Sequence, residues 1–338
     1  MTRGFILGKF MPPHEGHRLL CEVARARVDQ LTILVCSLPD DPIPGALRHV
    51  WMRELFPDCR VLHHDAVVPQ APADDPDFWP IWRGIAQAAH PEPIDYVFAS
   101  EAYGAQLAAV LGAVFHPVDP DRLIVPVSGT AVRADPYGHW PLLPPPVRVH
   151  HARRICLHGP ESVGKSALAG QLAAHLRTVQ VPEFGRTWCE AHGTDLTMDG
   201  LLVIGRTQHA MAQAAARRCN GWLVLDTDPL MTAVWADMML GRRDPWFGAW
   251  QDMADLYLLL DIDLPFIDDG LRLYGAADAR RRFFALCQAE LERRGARWRL
   301  VRGAGQARFD NALAAIRDVF GTLAAPFDAF PPAPSAPQ

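Results

Sequence analysis

The sequence predicts an α/β protein of two domains, each built on a parallel sheet, and three observations carry that expectation. A chain of 338 residues exceeds the size at which one hydrophobic core keeps growing. Twice, a short apolar run flows straight into a glycine-bearing turn and then a helical pattern: Phe5-Ile6-Leu7 into Gly8-Lys9, and Ile155-Cys156-Leu157-His158 into Gly159-Pro160. Further buried-strand runs, among them Leu31 to Val35 and Leu256 to Leu260, alternate with helical patterns, as in sheets with crossover helices. Residues 1–135 form the first expected domain, 136–150 a proline-rich connector and 151–324 the second domain. The Pro/Ala-rich stretch 325–338 reads as a disordered tail, because it cannot build a core.

Composition narrows the function. Hydrophobic residues at 49% and charged residues at 21% describe an ordinary globular protein with apolar material for two cores. The net charge of -5 argues against a general nucleic-acid surface, so any anionic ligand is held locally. Seven cysteines lie scattered with no C-x-x-C pair, which fits a reducing cytosol. No apolar run approaches the roughly 18 residues of a membrane span, and Met1 to Lys9 lacks a signal-peptide core. A cytoplasmic protein without membrane insertion is expected; the sequence leaves its oligomeric state, including a homo-oligomer, open.

In the first half, the strand at Phe5 leads into Gly8-Lys9-Phe10-Met11-Pro12-Pro13-His14-Glu15-Gly16-His17 and then a helix with Leu19, Leu20, Val23 and Ala24 on one face. Such a loop sits at the carboxyl end of its strand, where open α/β sheets bind ligands. Two imidazoles at His14 and His17 can donate hydrogen bonds to a phosphoryl group as charge develops, and Lys9 adds a cation. A closed zinc site is the competing reading, disfavoured by the missing Cys or acidic cluster. This stretch resembles the H-x-G-H signature of the nucleotidyltransferase superfamily, whose members transfer a nucleotidyl group from a nucleoside triphosphate. That family carries a second motif, a Ser/Thr-rich turn leading to a basic residue that grips the triphosphate. Val127-Ser128-Gly129-Thr130-Ala131-Val132-Arg133 matches it. The resemblance implies a Rossmann-like domain in which Lys9, His14, His17 and Arg133 act on the phosphates, with Gly8, Phe10, Ser128 and Thr130 binding the nucleotide.

Between these motifs, Leu47 to Phe56 reads as a helix and Val61-Leu62 as a short strand. A polar loop from Asp65 to Pro80 is long enough to suggest function. Trp79 and Trp82 beside it are either stacking surfaces for a planar ring or core residues. After the strand Tyr96 to Ala99, Ser100-Glu101-Ala102-Tyr103-Gly104 resembles the family's substrate-side segment. Five prolines between Pro136 and Pro146 then predict a stiff connector belonging to neither core.

The second half opens on Gly159-Pro160-Glu161-Ser162-Val163-Gly164-Lys165-Ser166-Ala167, a P-loop in its full strand, turn and helix context. Backbone N–H groups would cradle phosphates, Lys165 would reach the outer ones, and Ser166 would help hold Mg2+. Trp222-Leu223-Val224-Leu225 runs into Asp226-Thr227-Asp228, a strand ending in acid: Asp226 is placed to orient Mg2+, and Asp228 either contacts the acceptor or caps the helix that Pro229 opens. At the end of Val179-Gln180-Val181, Glu183 and Arg186 could orient an acceptor hydroxyl and its sugar, or simply pair at the surface. The segment is similar to that of nucleoside kinases, which implies a general-base role for Glu183. Asp268-Asp269-Gly270-Leu271-Arg272 follows the next strand, and the cluster Arg280-Arg281-Arg282 reads either as similar to the arginine-rich lid that P-loop kinases close over the transferred phosphate or as a solvated helical face; Asp268, Asp269, Arg272 and Arg281 are the substrate-side candidates. Trp298 to Val301 and a helix from Phe309 to Phe320 complete a five-strand pattern.

A nucleotidyltransferase domain followed by a P-loop kinase domain resembles the NadR-type family of bifunctional nicotinamide-nucleotide adenylyltransferases and ribosylnicotinamide kinases, over roughly residues 3 to 322. That resemblance implies ATP as co-substrate, Mg2+ as cofactor, and nicotinamide riboside, nicotinamide mononucleotide and NAD as ligands of a salvage route. With Phe5 already in the first strand, no N-terminal helix-turn-helix and no nucleic-acid partner are expected. Two alternatives accompany this reading: a similar fusion acting on another nucleoside and nucleotide, or a nucleotide-sensing regulator that has lost catalysis.

Overall fold

The computed structural model describes residues 1–322 and divides the chain into two compact units, residues 1–150 and the residues from 151 on. The expected tail at 325–338 lies outside the described residues. In the first unit the elements are β1 (Arg3–Gly8), α1 (Glu15–Arg27), β2 (Gln30–Cys36), α2 (Gly45–Leu55), β3 (Arg60–His64), α3 (Phe78–Ala89), β4 (Tyr96–Ala99), α4 (Tyr103–Leu111), β5 (Val114–Pro117), α5 (Gly129–Ala134) and α6 (Pro145–His151). The strands are parallel in the order β3-β2-β1-β4-β5. Side chains alternate across the sheet: Ile6 packs with Leu20, Met52 and Phe98 on one face, and Phe5 with Phe78, Trp82 and Leu107 on the other. The chain leaves β1 toward β2 on one side and returns to β4 on the other, so the ligand crevice falls at the carboxyl end of β1.

Two stretches differ from expectation. The proline-rich connector is structured: Trp140–Leu142 forms a 3-10 turn, Pro145 opens α6, and Trp140, Leu143 and Val147 are buried. Proline lacks only a donor that the first helical turn does not use, so Pro145 and Pro146 begin a helix here. The short strand β5 carries no sequence signal, because it lies at the sheet edge with Val114 exposed and shows no unbroken apolar run.

The second unit runs β6 (Arg153–His158), α7 (Lys165–His175), β7 (Val179–Val181), α8 (Phe184–His192), α9 (Met198–Ala216), β8 (Trp222–Leu225), α10 (Pro229–Leu240), α11 (Pro245–Ala249), β9 (Leu256–Leu260), α12 (Ala277–Arg293), β10 (Trp298–Val301) and α13 (Gly305–Phe320). Its parallel order is β10-β9-β6-β8-β7, which again puts the strand before the phosphate loop at the centre. Ile155, Leu157, Trp222, Val224, Leu256 and Leu258 share one face and bury Leu168 and Leu172 of α7 and Leu313 and Ile316 of α13. Among the described residues, no helix is long and apolar enough to cross a membrane.

Candidate active sites

A cavity of ≈ 660 Å³ opens at the carboxyl end of β1. Gly8, Lys9, Phe10, His14 and His17 enter it from the β1–α1 connection, and Ser128, Thr130 and Arg133 from α5 and its cap. The two imidazoles stack at 3.8 Å between centroids, and the edge of Phe10 meets His17 at 5.0 Å. Gly16 permits this, since a Cβ there would sit 3.1 Å from the His14 ring. Nδ1 of both rings is buried and has no partner among the described residues, leaving donor or acceptor capacity for a ligand. Burial, with the nearby Arg122 charge, lowers His14 to about 4; burial, His14 and Arg122 lower His17 as well. Both rings are therefore neutral at pH 7. Ser128 caps α5 by accepting from Ala131 N–H at 3.1 Å, while Arg133 donates to the Met11 carbonyl at 2.5 Å and to Thr130 Oγ1 at 3.1 Å. The two motifs thus close on one another across the cavity.

The second cavity, ≈ 550 Å³, lies at the carboxyl end of β6. Gly159 (φ +133°) has no room for a side chain, since a Cβ would meet the Leu260 carbonyl at 3.0 Å. Gly164, Lys165, Ser166 and Ala167 line the cavity, and Lys165 Nζ folds back onto the carbonyls of Gly159 (2.9 Å) and Pro160 (2.7 Å). Asp226 is buried, its Oδ1 has no partner among the described residues, and Ser166 of the phosphate loop acts on its carboxyl group. Burial, then the Glu183 charge, pushes Asp226 up to about 6. An orphaned carboxylate oxygen beside a loop hydroxyl suits a hard cation completed by phosphate and water; among the described residues no cluster of three His, Cys, Asp or Glu would enclose a metal by itself. Glu183 and Arg186 face the same space, and Arg186 pairs with Asp269 at 2.7 Å, which Arg272 also reaches at 3.1 Å. Arg272 further donates to Ser162 Oγ at 2.9 Å, and Glu161 accepts from the backbone of Leu273 (2.8 Å) and Tyr274. The segment holding Asp269 and Arg272 is fastened to the phosphate loop.

Residues 154–308 match the family described as an AAA domain. The chain is 28% identical to the trifunctional NAD biosynthesis/regulator protein NadR of Escherichia coli (strain K12) over 317 residues, 86% of this chain and 76% of that protein. The chain is homologous to NadR. The chain is also 29% identical over 175 residues to the nicotinamide-nucleotide adenylyltransferase of Methanoculleus marisnigri, covering 49% of this chain and 98% of that enzyme. The solved structure of NadR in complex with NR shares the fold across both halves: TM-score 0.76, 22% identity, 95% of this chain and 96% of that one.

Within this NadR homologue, several residues sit differently from the sequence expectation. Asp228 does not line the cavity. Its Oδ1 accepts from Leu230 N–H at 2.9 Å to cap α10, and its Oδ2 from the Tyr257 hydroxyl at 2.5 Å. A carboxylate with both oxygens engaged in the core is structural, although burial pushes it up to about 6. Asp228→Ala is expected to lower unfolding stability by about 1–3 kcal/mol through the lost cap and the unpaired phenol, measured by urea denaturation. Arg281 is 63% exposed and pairs with Asp278 one helical turn away, outside the cavity lining. Asp268 accepts from Gly270 N–H within its own exposed turn. Val163 is core. Trp82 is buried with its Nε1–H on the Pro69 carbonyl at 3.0 Å, and it lines the first cavity together with the less buried Trp79.

The structure also adds residues that no local pattern marks. Arg122, from the loop after β5, donates to the Val127 carbonyl at 2.7 Å and lines the first cavity. Gln208 of α9, buried, accepts from Phe184 N–H at 2.8 Å and donates to the carbonyls of Pro182 and Thr227 at 3.1 Å each, fixing the strand ends beside Glu183 and Asp226. Arg308 of α13 donates to the Val163 carbonyl beneath the phosphate loop. Trp235 on α10 lines the second cavity with an aromatic face.

The neutral state of His14 has a measurable consequence. Its folded value lies below the unfolded 6.5, so the unfolded chain takes up the proton first as pH falls. The resulting stability is present above 6.5 and is lost as pH drops toward about 4, a loss of up to about 3 kcal/mol. His14→Gln is expected to flatten the acid limb of a stability profile taken by urea unfolding without nucleotide.

Proposed function

We propose that this NadR homologue is a bifunctional enzyme of NAD biosynthesis and salvage. The second unit phosphorylates nicotinamide riboside with ATP, and the first transfers an adenylyl group from ATP to the mononucleotide, giving NAD and pyrophosphate. The single observation that carries the reading is that one chain, homologous to NadR over 86% of its length, holds two cavities, each at the carboxyl end of the central strand of its own sheet and each lined by one of the two phosphate-binding motifs.

In the first site, Lys9 and Arg133 face the triphosphate while neutral His14 and His17 donate hydrogen bonds to it. Ser128 and Thr130 add donors from the opposite wall. The mononucleotide phosphate attacks the α-phosphorus in line, and the charge gathering on departing pyrophosphate is met by these groups. Trp79 is the ring available to stack on the nicotinamide. In the second site, Lys165 leaves the Gly159 and Pro160 carbonyls for the outer phosphates. Ser166 and Asp226 would hold Mg2+, which supplies charge neutralisation between the phosphates. Glu183 takes the riboside hydroxyl proton, Arg186 with Asp269 holds the sugar side, and Trp235 offers a face for the base.

The test is product analysis of purified protein with MgATP and nicotinamide riboside. Mononucleotide followed by NAD and pyrophosphate is the expected course. An untouched riboside alongside phosphorylation of a different nucleoside would overturn the substrate assignment and leave the two reaction types standing.

A further inference from the structure

Beneath the loop that carries Lys9 lies a residue the mechanism above does not use. Arg48 of α2 is wholly buried. Its Nε donates to the Ile43 carbonyl at 2.9 Å, its Nη1 to the carbonyls of Cys36 (3.2 Å) and Lys9, and its Nη2 to the Asp41 carboxylate. Asp41 spends the same oxygen on Leu38 N–H at 3.0 Å and sets the other 3.6 Å from Lys9 Nζ. Lys9 is therefore held at both ends: its carbonyl by Arg48, and its ammonium by the carboxylate that Arg48 fixes.

A buried ion pair is a poor way to stabilise a helix, because apolar residues of similar volume do as well without the desolvation cost. What a guanidinium adds here is geometry, since one rigid fork ties α2, the end of β2 and the β1 loop together. A lysine has the charge but not the fork. Lys9 itself is 42% exposed on its free side, so the ammonium can turn from Asp41 to an incoming triphosphate.

We propose that Arg48 is a positioning residue for adenylyl transfer, acting through Asp41 and the Lys9 carbonyl to set Lys9 against the triphosphate. The proposal rests on the adenylyl-transfer reading of the first site. Displacements near 1 Å at a reacting group are worth on the order of a hundredfold in rate.

The experiment is a double-mutant cycle on NAD formation from supplied mononucleotide in the full chain, with Arg48→Lys, Asp41→Asn, Lys9→Ala and the two combinations with Lys9→Ala. Arg48→Lys is expected to lower kcat/KM for ATP by roughly ten- to a hundredfold, and Asp41→Asn to change chiefly the KM for ATP. Either change in the Lys9→Ala background is expected to add less than about twofold, because its route to the phosphates is gone. Riboside phosphorylation by the second unit normalises for the amount of protein, and urea unfolding of each variant reports whether the first unit is still folded. Equal proportional losses with and without Lys9 would overturn the proposal and leave Arg48 a fold residue. Should Arg48→Lys prove insoluble, Asp41→Asn and its combination decide the matter in the same way. Wild-type NAD formation by a His17→Ala variant would instead refute the adenylyl-transfer reading, so the two failures are distinguishable.

Discussion

A Lys165→Ala variant is expected to lose riboside phosphorylation by on the order of a thousandfold while still converting supplied mononucleotide to NAD at the wild-type rate. The other cations lining the second cavity are Arg186 and Arg272, and both are engaged with Asp269, at 2.7 Å and 3.1 Å. Neither is free to replace an ammonium on the outer phosphates. The loop backbone and the positive end of α7 remain in the variant, so nucleotide binding weakens less than turnover. Chromatographic separation of riboside, mononucleotide and NAD reads both reactions from one incubation. A loss below tenfold would remove Lys165 from the phosphate site. Failure to use supplied mononucleotide would mean that the two reactions do not occupy separate sites.

The difference between Lys165 and Asp228 shows what a sequence makes legible. A phosphate loop is local: its glycines, lysine and serine fall within eight residues between a strand and a helix, so pattern and place arrive together. The central strands are equally plain, and Tyr96–Ala99, Trp222–Leu225 and Leu256–Leu260 begin and end where their apolar runs do. Asp228 follows a strand and precedes Pro229, a context that suits a ligand and a helix cap alike, and only the Tyr257 hydroxyl from β9 decides between them. Arg48, Arg122, Gln208 and Arg308 gain their roles from backbone groups and carboxylates 5 to 145 positions away in the chain. Arginines on helices and loops look alike until the fold supplies their partners. Trp235 poses the same problem, because on a nearly all-apolar helix nothing separates a ring facing a cavity from one in the core. Prolines misled in the opposite sense: at 144–146 they precede and open α6.

The second large effect is expected at His17. In His17→Ala, NAD formation from mononucleotide and ATP falls by roughly a hundred- to a thousandfold, riboside phosphorylation continues, and mononucleotide accumulates. His17 is neutral, stacked on His14 and edged by Phe10, with a buried Nδ1 that no group among the described residues engages. A neutral imidazole in such a site stabilises charge as it develops on the phosphates, an interaction stronger in the transition state than in the bound substrates. The loss therefore belongs in kcat, with the KM for mononucleotide little changed. His17→Asn keeps a donor on a shorter side chain and recovers part of the rate. Initial rates at saturating and limiting mononucleotide separate the two parameters. A rise in KM at constant kcat would make His17 a ground-state binding residue, and the charge would then have to be met by Lys9, Arg133, His14 and the hydroxyl donors.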